Sequence, residues 1–190
     1  MQHAKATSVL ETGEPDGWDA PTAFFGEQGA QGVSRLVVSV AASDLPAVHQ
    51  AIVQAAPEPL SVLYRQLVDR KQPRPQGAKP RDFLALEVSK TTVLQALQAC
   101  SSLVYHDARC ELWIRAGLEH QVVLDADGLI CCYPDALQFR SSLIEQGIQE
   151  RSVETMASKD YVKHWFYAEN DTLEERLIEM LGLVSVPEQG

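Results

Sequence analysis

The spacing of apolar and polar positions changes repeatedly along the chain between the two-residue period of a β-strand and the longer period of an α-helix. Capping residues and prolines such as Pro57 mark where the helices begin and end. The pattern predicts, in order, a strand over 35–41, a helix over 44–56, strands over 60–68 and 83–88, a helix over 91–103, a strand over 111–116 and paired strands over 121–125 and 129–133.

The order strand, helix, strand therefore occurs twice in succession. Two such units in tandem predict an antiparallel sheet with both helices on one face, which is the ferredoxin-like arrangement. The paired strands that follow are expected to extend this sheet as a hairpin. The predicted fold class is α+β, with a ferredoxin-like antiparallel sheet, an added hairpin and C-terminal helices.

The last part of the chain has the spacing of helices, with polar capping residues ahead of apolar positions. Two of the starts match a capping box, in which a residue that accepts or donates a hydrogen bond follows the cap by three positions. The residues predicted to begin helices are Asp135, Ser158 and Asp171, and the glycines predicted to end them are Gly147 and Gly182.

Residues 1–33 show no sustained periodicity and contain five glycines and two prolines, which predicts a flexible or loosely packed N-terminal arm. The hydrophobic fraction of the whole chain, 45%, is sufficient for one packed core. Residues 34–190 are therefore predicted to form a single α+β domain. Its sheet and two helices occupy 34–133, and its helical C-terminal part occupies 134–190.

The sharpest local signal is the sequence Asp125, Ala126, Asp127 and Gly128 between two apolar runs. An Asp-Gly pair in this position is typical of a tight β-hairpin, because glycine adopts positive φ without strain and aspartate bonds its own backbone. The sequence therefore predicts a hairpin turn. The same four residues also allow a second interpretation, which would make the protein an enzyme.

The motif resembles the first motif of the haloacid dehalogenase phosphatases. The resemblance implies a phosphohydrolase in which Asp125 is the nucleophile and Asp127 the general acid and base. It covers about ten residues, and no second motif of that family follows. Leu129 stands where the family has Thr or Val, and the next strand begins without the family's longer loop. The hairpin is therefore the favoured interpretation, and the phosphohydrolase stays as the alternative.

The chain carries 26 acidic and 16 basic side chains and a formal net charge of −10, which argues against nucleic-acid or anionic-membrane binding. The charge is unevenly distributed. Residues 65–81 contain six basic residues and one acid, whereas residues 145–190 contain ten acids and four bases. A basic loop and an acidic helical end suit a protein that meets a charged partner, although both are also typical of ordinary solvated surface.

Other candidate chemistry is sparse. No glycine-rich phosphate loop follows a strand, and no apolar run approaches the roughly 20 residues that span a bilayer. No catalytic, cofactor-binding or metal-binding residues are therefore predicted, and the chain is expected to be cytoplasmic. The cysteines match no zinc framework and are predicted to be reduced packing residues. These cysteines are Cys100, Cys110, Cys131 and Cys132.

A small acidic α+β chain without a catalytic constellation is expected to be a protein-binding module. In size, charge and lack of catalytic motif alone, it resembles the immunity proteins that neutralise bacterial polymorphic toxins. That resemblance implies a toxin inhibitor that occludes a basic toxin with an acidic surface. A regulatory module that binds a small metabolite is a further alternative. The residues predicted to bind the partner are the aromatic Trp165 and Tyr167 and the acidic Asp171, Glu174, Glu175 and Glu179.

Overall fold

The computed structural model describes residues 4–28, 32–72, 79–165 and 167–187. Its main feature is a large antiparallel sheet with helices packed against one face. The strands within the described ranges are β1 (Ala6–Ser8), β2 (Ala23–Gln28), β3 (Ser34–Ser39), β4 (Leu60–Gln66), β5 (Arg81–Val88), β6 (Cys110–Ala116), β7 (His120–Leu124), β8 (Ile130–Tyr133), β9 (Tyr161–Lys163) and β10 (Val184–Ser185). The α-helices in the same ranges are α1 (Leu45–Ala55), α2 (Lys90–Ala99), α3 (Ser101–His106), α4 (Leu137–Glu145) and α5 (Asp171–Leu181).

Eight strands form the main sheet in the order β10-β5-β4-β6-β7-β8-β3-β2, and every neighbouring pair is antiparallel. The predicted α+β class with an antiparallel sheet is confirmed. The ferredoxin-like strand order is not confirmed, because that order would place β3 beside β5. Here β3 pairs with β8 instead, since Leu36 and Val38 lie opposite Cys132 and Ile130 and all four side chains join one core.

Helix α1 follows its prediction closely. Asp44 precedes it without a capping side-chain bond, a proline occupies its first turn, and its last residue is Ala55, which Ala56 follows as the C-cap. Its apolar face is buried against the sheet and against α2 and α4. The helix predicted over 91–103 is divided at Cys100 into α2 and α3, and its N-cap is Ser89, whose hydroxyl accepts a hydrogen bond from the backbone amide of Thr92.

The C-terminal part differs more from its prediction. The prediction of a helix that begins at Ser158 is wrong, because Tyr161–Lys163 is strand β9 and pairs with β1 in a separate two-stranded sheet. The predicted capping boxes are also absent, since Ala136 and Asn170 precede α4 and α5 without a capping side-chain bond. Gly182, at φ 64°, ends α5 as predicted, and its left-handed conformation is one that glycine adopts without strain.

The described residues of the predicted arm take part in both sheets. Strand β1 pairs with β9, and β2 forms the edge of the main sheet beside β3. Phe24 is fully buried in the main core, and Lys5 is almost completely buried. The division of the chain at residue 33 stays a prediction, but the strands on its N-terminal side pack against those that follow it.

Candidate functional site

The motif that suggested two interpretations forms a hairpin turn between β7 and β8. The amide of Asp125 donates to the carbonyl of Leu129 at 3.0 Å, and Gly128 has φ 86°. One carboxylate oxygen of Asp125 accepts hydrogen bonds from the amides of Asp127 and Leu129, both at 2.9 Å. Burial raises the pKa of Asp125 to about 6, although these two hydrogen bonds act in the opposite direction. Asp125 is therefore a residue that closes the turn.

The second carboxylate of the motif holds strand β9. Asp127 accepts a hydrogen bond from the hydroxyl of Tyr161 at 3.2 Å and lies 2.8 Å from the ammonium group of Lys163. A phosphatase of the resembled family would need this motif at the end of a central parallel strand, whereas β7 is antiparallel to both its neighbours. The arrangement favours the structural interpretation of both aspartates.

The residues predicted to bind a partner do not form one free acidic surface on α5. Glu174 is only 8% exposed, and it accepts hydrogen bonds from the hydroxyl of Tyr64 at 2.5 Å and the amide of Gln66 at 2.8 Å. Glu175 and Glu179 are exposed. The structure therefore separates the predicted acids into residues that hold the fold and residues that face solvent.

Asp171 belongs to a buried network centred on Arg109, whose side chain is fully buried. The guanidinium donates to Asp107 at 2.9 Å, to Asp171 at 2.6 Å and to the backbone carbonyl of Tyr167 at 2.8 Å. Burial alone would raise the pKa of Asp171, but the hydrogen bonds and charges of Arg109 and Arg70 hold it below its usual value. The network fixes where α5 begins.

The basic segment over 65–81 is paired with the acidic residues of the same chain. Arg70 contacts Asp171, and Lys71 contacts Glu175. In the same segment Arg65 pairs with Asp82 and Arg81 pairs with Asp69, while Arg74 lies outside the described residues. Much of the charge asymmetry that suggested a charged partner is thus used in contacts within the molecule.

A different surface has the properties of a binding site. One apolar residue from each strand of the main sheet lies in a single row across the face opposite the helices. Directly paired residues in antiparallel strands have side chains on the same face, so the strand register defines this row. In sheet order, the row contains Val184, Leu84, Leu63, Trp113, Val123, Cys131, Val37 and Phe25.

The two halves of this apolar row differ in exposure. Val123, Cys131 and Val37 are buried, because the flanking aromatic and aliphatic side chains cover them. Val184 is 69% exposed at the other end. Leu84, Leu63 and Trp113, which lie between, are partly exposed. We call the four residues Val184, Leu84, Leu63 and Trp113 the exposed half-row.

Charged and polar residues form a rim along the exposed half-row. Arg65 makes a bidentate ion pair with Asp82, at 2.9 and 3.0 Å, and its guanidinium lies 4.8 Å from the ring centre of Trp113. The indole of Trp113 donates to Glu111 at 3.0 Å. An apolar centre with Trp and Arg, surrounded by polar residues, is the usual anatomy of a protein interface.

The described residues offer little other chemistry. Within them, no three His, Cys, Asp or Glu side chains are grouped so as to hold a metal ion. All four cysteines are buried and unpaired, and burial raises the pKa of Cys110 and of Cys131 to about 11. In the same part of the chain, no helix combines the length and apolar character that crossing a membrane requires.

No protein-family model matches the chain, and neither a curated protein nor a solved structure matches it. The geometry of the described residues is therefore the basis for any functional conclusion. Of the partner-binding residues predicted on α5, Asp171 and Glu174 make internal contacts and Glu175 and Glu179 are exposed, so their role in binding stays a prediction. The apolar row went unrecognised in the sequence because it depends on the register of eight strands.

We expect Arg109→Met to lower the free energy of unfolding by about 3–5 kcal/mol, because it leaves Asp107 buried without its partner. Arg109→Lys should recover only part of this loss, since an ammonium group cannot reproduce the planar fork of hydrogen bonds. Urea unfolding followed by circular dichroism measures both changes. The control is Arg115→Met, which alters an exposed arginine of β6 and should change stability by about 0.5 kcal/mol or less. Equal losses in the Arg109 and Arg115 variants would contradict this role.

We expect Asp125→Asn to change how stability depends on pH. The folded chain holds the proton of Asp125 more tightly than the unfolded chain, because the pKa is raised from 3.8 to about 6. Protonation therefore favours the folded state, and the contribution of Asp125 to stability falls as pH rises from about 4 to about 6.

Asparagine accepts the same two hydrogen bonds but does not ionise, so the variant should lack this dependence. Relative to wild type, the variant should gain on the order of 2 kcal/mol between about pH 4 and about pH 7. Urea unfolding at both pH values measures this gain, and Asp19→Asn, at an exposed aspartate, is the control. A difference between wild type and Asp125→Asn that stays constant with pH would exclude the effect.

Proposed function

We propose that the protein is a protein-binding module and that the exposed half-row is its interface. The observation that carries this proposal is the strand register, which aligns Val184, Leu84, Leu63 and Trp113 on the face opposite the helices. Contiguous apolar surface exposed to water marks interaction sites in many proteins, because covering it with a partner is favourable.

The contacts of Trp113 support a central role for that residue in the interface. The guanidinium of Arg65 stacks on its ring, and its indole nitrogen is bound to Glu111. A large side chain that is already held in one orientation loses little conformational entropy on binding. Buried Trp and Arg residues also contribute much of the free energy at the centres of interfaces.

The net charge of −10 favours a basic partner, which the field of the whole protein would attract over long distances. The ion pair between Arg65 and Asp82 is satisfied within the chain, so the rim contributes specificity more than raw attraction. Glu179, which is exposed on α5, can add to the long-range field, whereas the charge of Glu175 is offset by Lys71. We therefore move the proposed contact surface from α5 to the sheet, and keep the acidic charge as the steering element.

In its most specific form, the proposal is an immunity protein that occludes a basic bacterial toxin in the cytoplasm. The small size of the chain, its acidic charge and an interface without catalytic groups support this role. The mechanism needs no chemistry from the protein, because a bound module blocks the toxin's active site by its volume. The partner's own basic groups, and an apolar side chain that fits beside Trp113, would determine recognition.

We expect Leu84→Lys to weaken partner binding at least 30-fold, because it places a charge in the apolar centre and repels a basic partner. The matched control is Leu137→Lys, which changes a leucine that is 81% exposed on α4. Each of the three chains is used to capture proteins from a lysate of the source organism. We expect wild type and the control to retain a protein that Leu84→Lys does not retain, and that protein is then purified. Its affinity for all three chains would then be measured by calorimetry, after circular dichroism has shown that each is folded.

Three outcomes would each overturn part of this proposal. Equal affinities of Leu84→Lys and Leu137→Lys would place the interface elsewhere. If binding is lost only when Glu175 and Glu179 are both replaced by lysine, the interface lies on α5. If wild type captures nothing and sedimentation shows a dimer that Leu84→Lys disrupts, the row binds a second copy of the chain and the proposal of a foreign partner is wrong.

A further inference from the structure

The outer surface of the helical layer carries almost no charge. Helix α1 packs between α4 and α2, and these helices cover the face of the main sheet opposite the exposed half-row. The sequence of α1 contains no Asp, Glu, Lys or Arg, and that of α2 contains only Lys90. The ammonium group of Lys90 is held at the carbonyl of Gln54, at 2.9 Å. A surface that faces only water usually carries many charged side chains, so this composition is unusual for a chain with a net charge of −10.

Four glutamines line an open groove between α1 and α2. They are Gln50 and Gln54 on α1 and Gln95 and Gln98 on α2, and Leu94 lies among them. Gln54, Gln95 and Gln98 are exposed. A glutamine amide both donates and accepts hydrogen bonds. A surface of such amides is therefore complementary to another copy of itself.

Helix α4 adds an apolar stripe to the same outer surface. Leu137, Ser141 and Ile144 follow one another at spacings of four and three residues, which places them on one side of the helix. Leu137 is 81% exposed and Ile144 is 60% exposed, whereas Phe139 and Leu143, on the inner side of α4, are fully buried. Covering the outer stripe would remove apolar area from water, which is favourable.

We propose that this uncharged helical face, formed by the outer sides of α4, α1 and α2, pairs with the same face of a second copy in a two-fold dimer. Charge determines the occupant. Two chains that each carry −10 repel one another where acidic surfaces meet, whereas this face brings no opposing charges together. A basic partner would be drawn to the acidic surfaces instead. A two-fold interface places the same patch on both sides, and the amides and apolar side chains satisfy that requirement.

The size of the face indicates a weak dimer. Three helices side by side, each about 15 Å long and about 10 Å wide, give a footprint of roughly 450 Å² per copy. Two such footprints approach the roughly 1,000 Å² that a specific interface needs. The dimer would leave both exposed half-rows on its outer sides, free to bind other proteins at the same time. This inference does not depend on the proposed function of the half-row.

The test is sedimentation of the full-length chain over a series from low to high micromolar concentration. We expect Gln95→Glu to weaken the dimer about tenfold or more, because it buries an unpaired carboxylate on each side of the interface. The substitution keeps the shape and the helix propensity of glutamine. The matched control is Gln121→Glu, which adds the same charge on the opposite face of the sheet, two residues from Val123 of the apolar row. The control should dimerise like wild type.

Two lysine variants locate the contact independently. Leu137→Lys should weaken the dimer, whereas Leu84→Lys, on the opposite face, should leave it intact, with circular dichroism showing that both are folded. A wild-type chain that sediments as a monomer throughout the series would overturn the proposal. So would equal effects of Gln95→Glu and Gln121→Glu, or a dimer that Leu84→Lys disrupts and Leu137→Lys does not.

Discussion

The fully buried guanidinium of Arg109 is the constraint on which the placement of α5 depends. Moving such a charge out of water costs several kcal/mol, which only well-placed acceptors can offset. Asp107, Asp171 and the carbonyl of Tyr167 supply these acceptors, so α5 has to begin where Asp171 reaches Arg109. One turn later, Glu174 reaches inward to the end of β4. The most acidic part of the chain is therefore partly an internal structure, and only some of its charge faces solvent.

This arrangement changes which surface is suited to binding. Arg70 and Lys71 pair with acids of α5, so the loop that carries them and the helix act as each other's counterions. The remaining net negative charge acts at long range, where it attracts without specifying a contact. Specific contact requires apolar area with fixed geometry, and the sheet face opposite the helices provides it. On this face, the charges of Arg65 and Asp82 are paired with each other beside Trp113 and do not lie in the centre of the apolar surface. This pairing avoids the cost of burying an unpaired ion when a partner binds.

Local signals in the sequence predicted the structure where a few neighbouring residues decide it. The hairpin turn needs only the hydrogen bonds of Asp125 and the positive φ of Gly128, and α1 needs only the proline of its first turn and its apolar stripe. The strand order and β9 depend on pairings such as Ala6 with Lys163, which no local pattern contains. For a related reason, the sequence did not show that Asp171 and Glu174 make internal contacts while Glu175 and Glu179 are exposed, and their role in binding stays a prediction. A capping-box spacing describes possible local bonds, whereas Asp171 and Glu174 bind partners distant in the chain.

The strongest local motif thus connects the main sheet to the small sheet. Asp125 closes the turn, and Asp127 reaches out from it to Tyr161 and Lys163. Those residues belong to β9, which carries β1 and its neighbouring loop into place against the end of β3. The small sheet thereby forms one wall of a cavity at the end of β3. The row of apolar residues is most exposed at its β10 end, far along the sheet order from the small sheet.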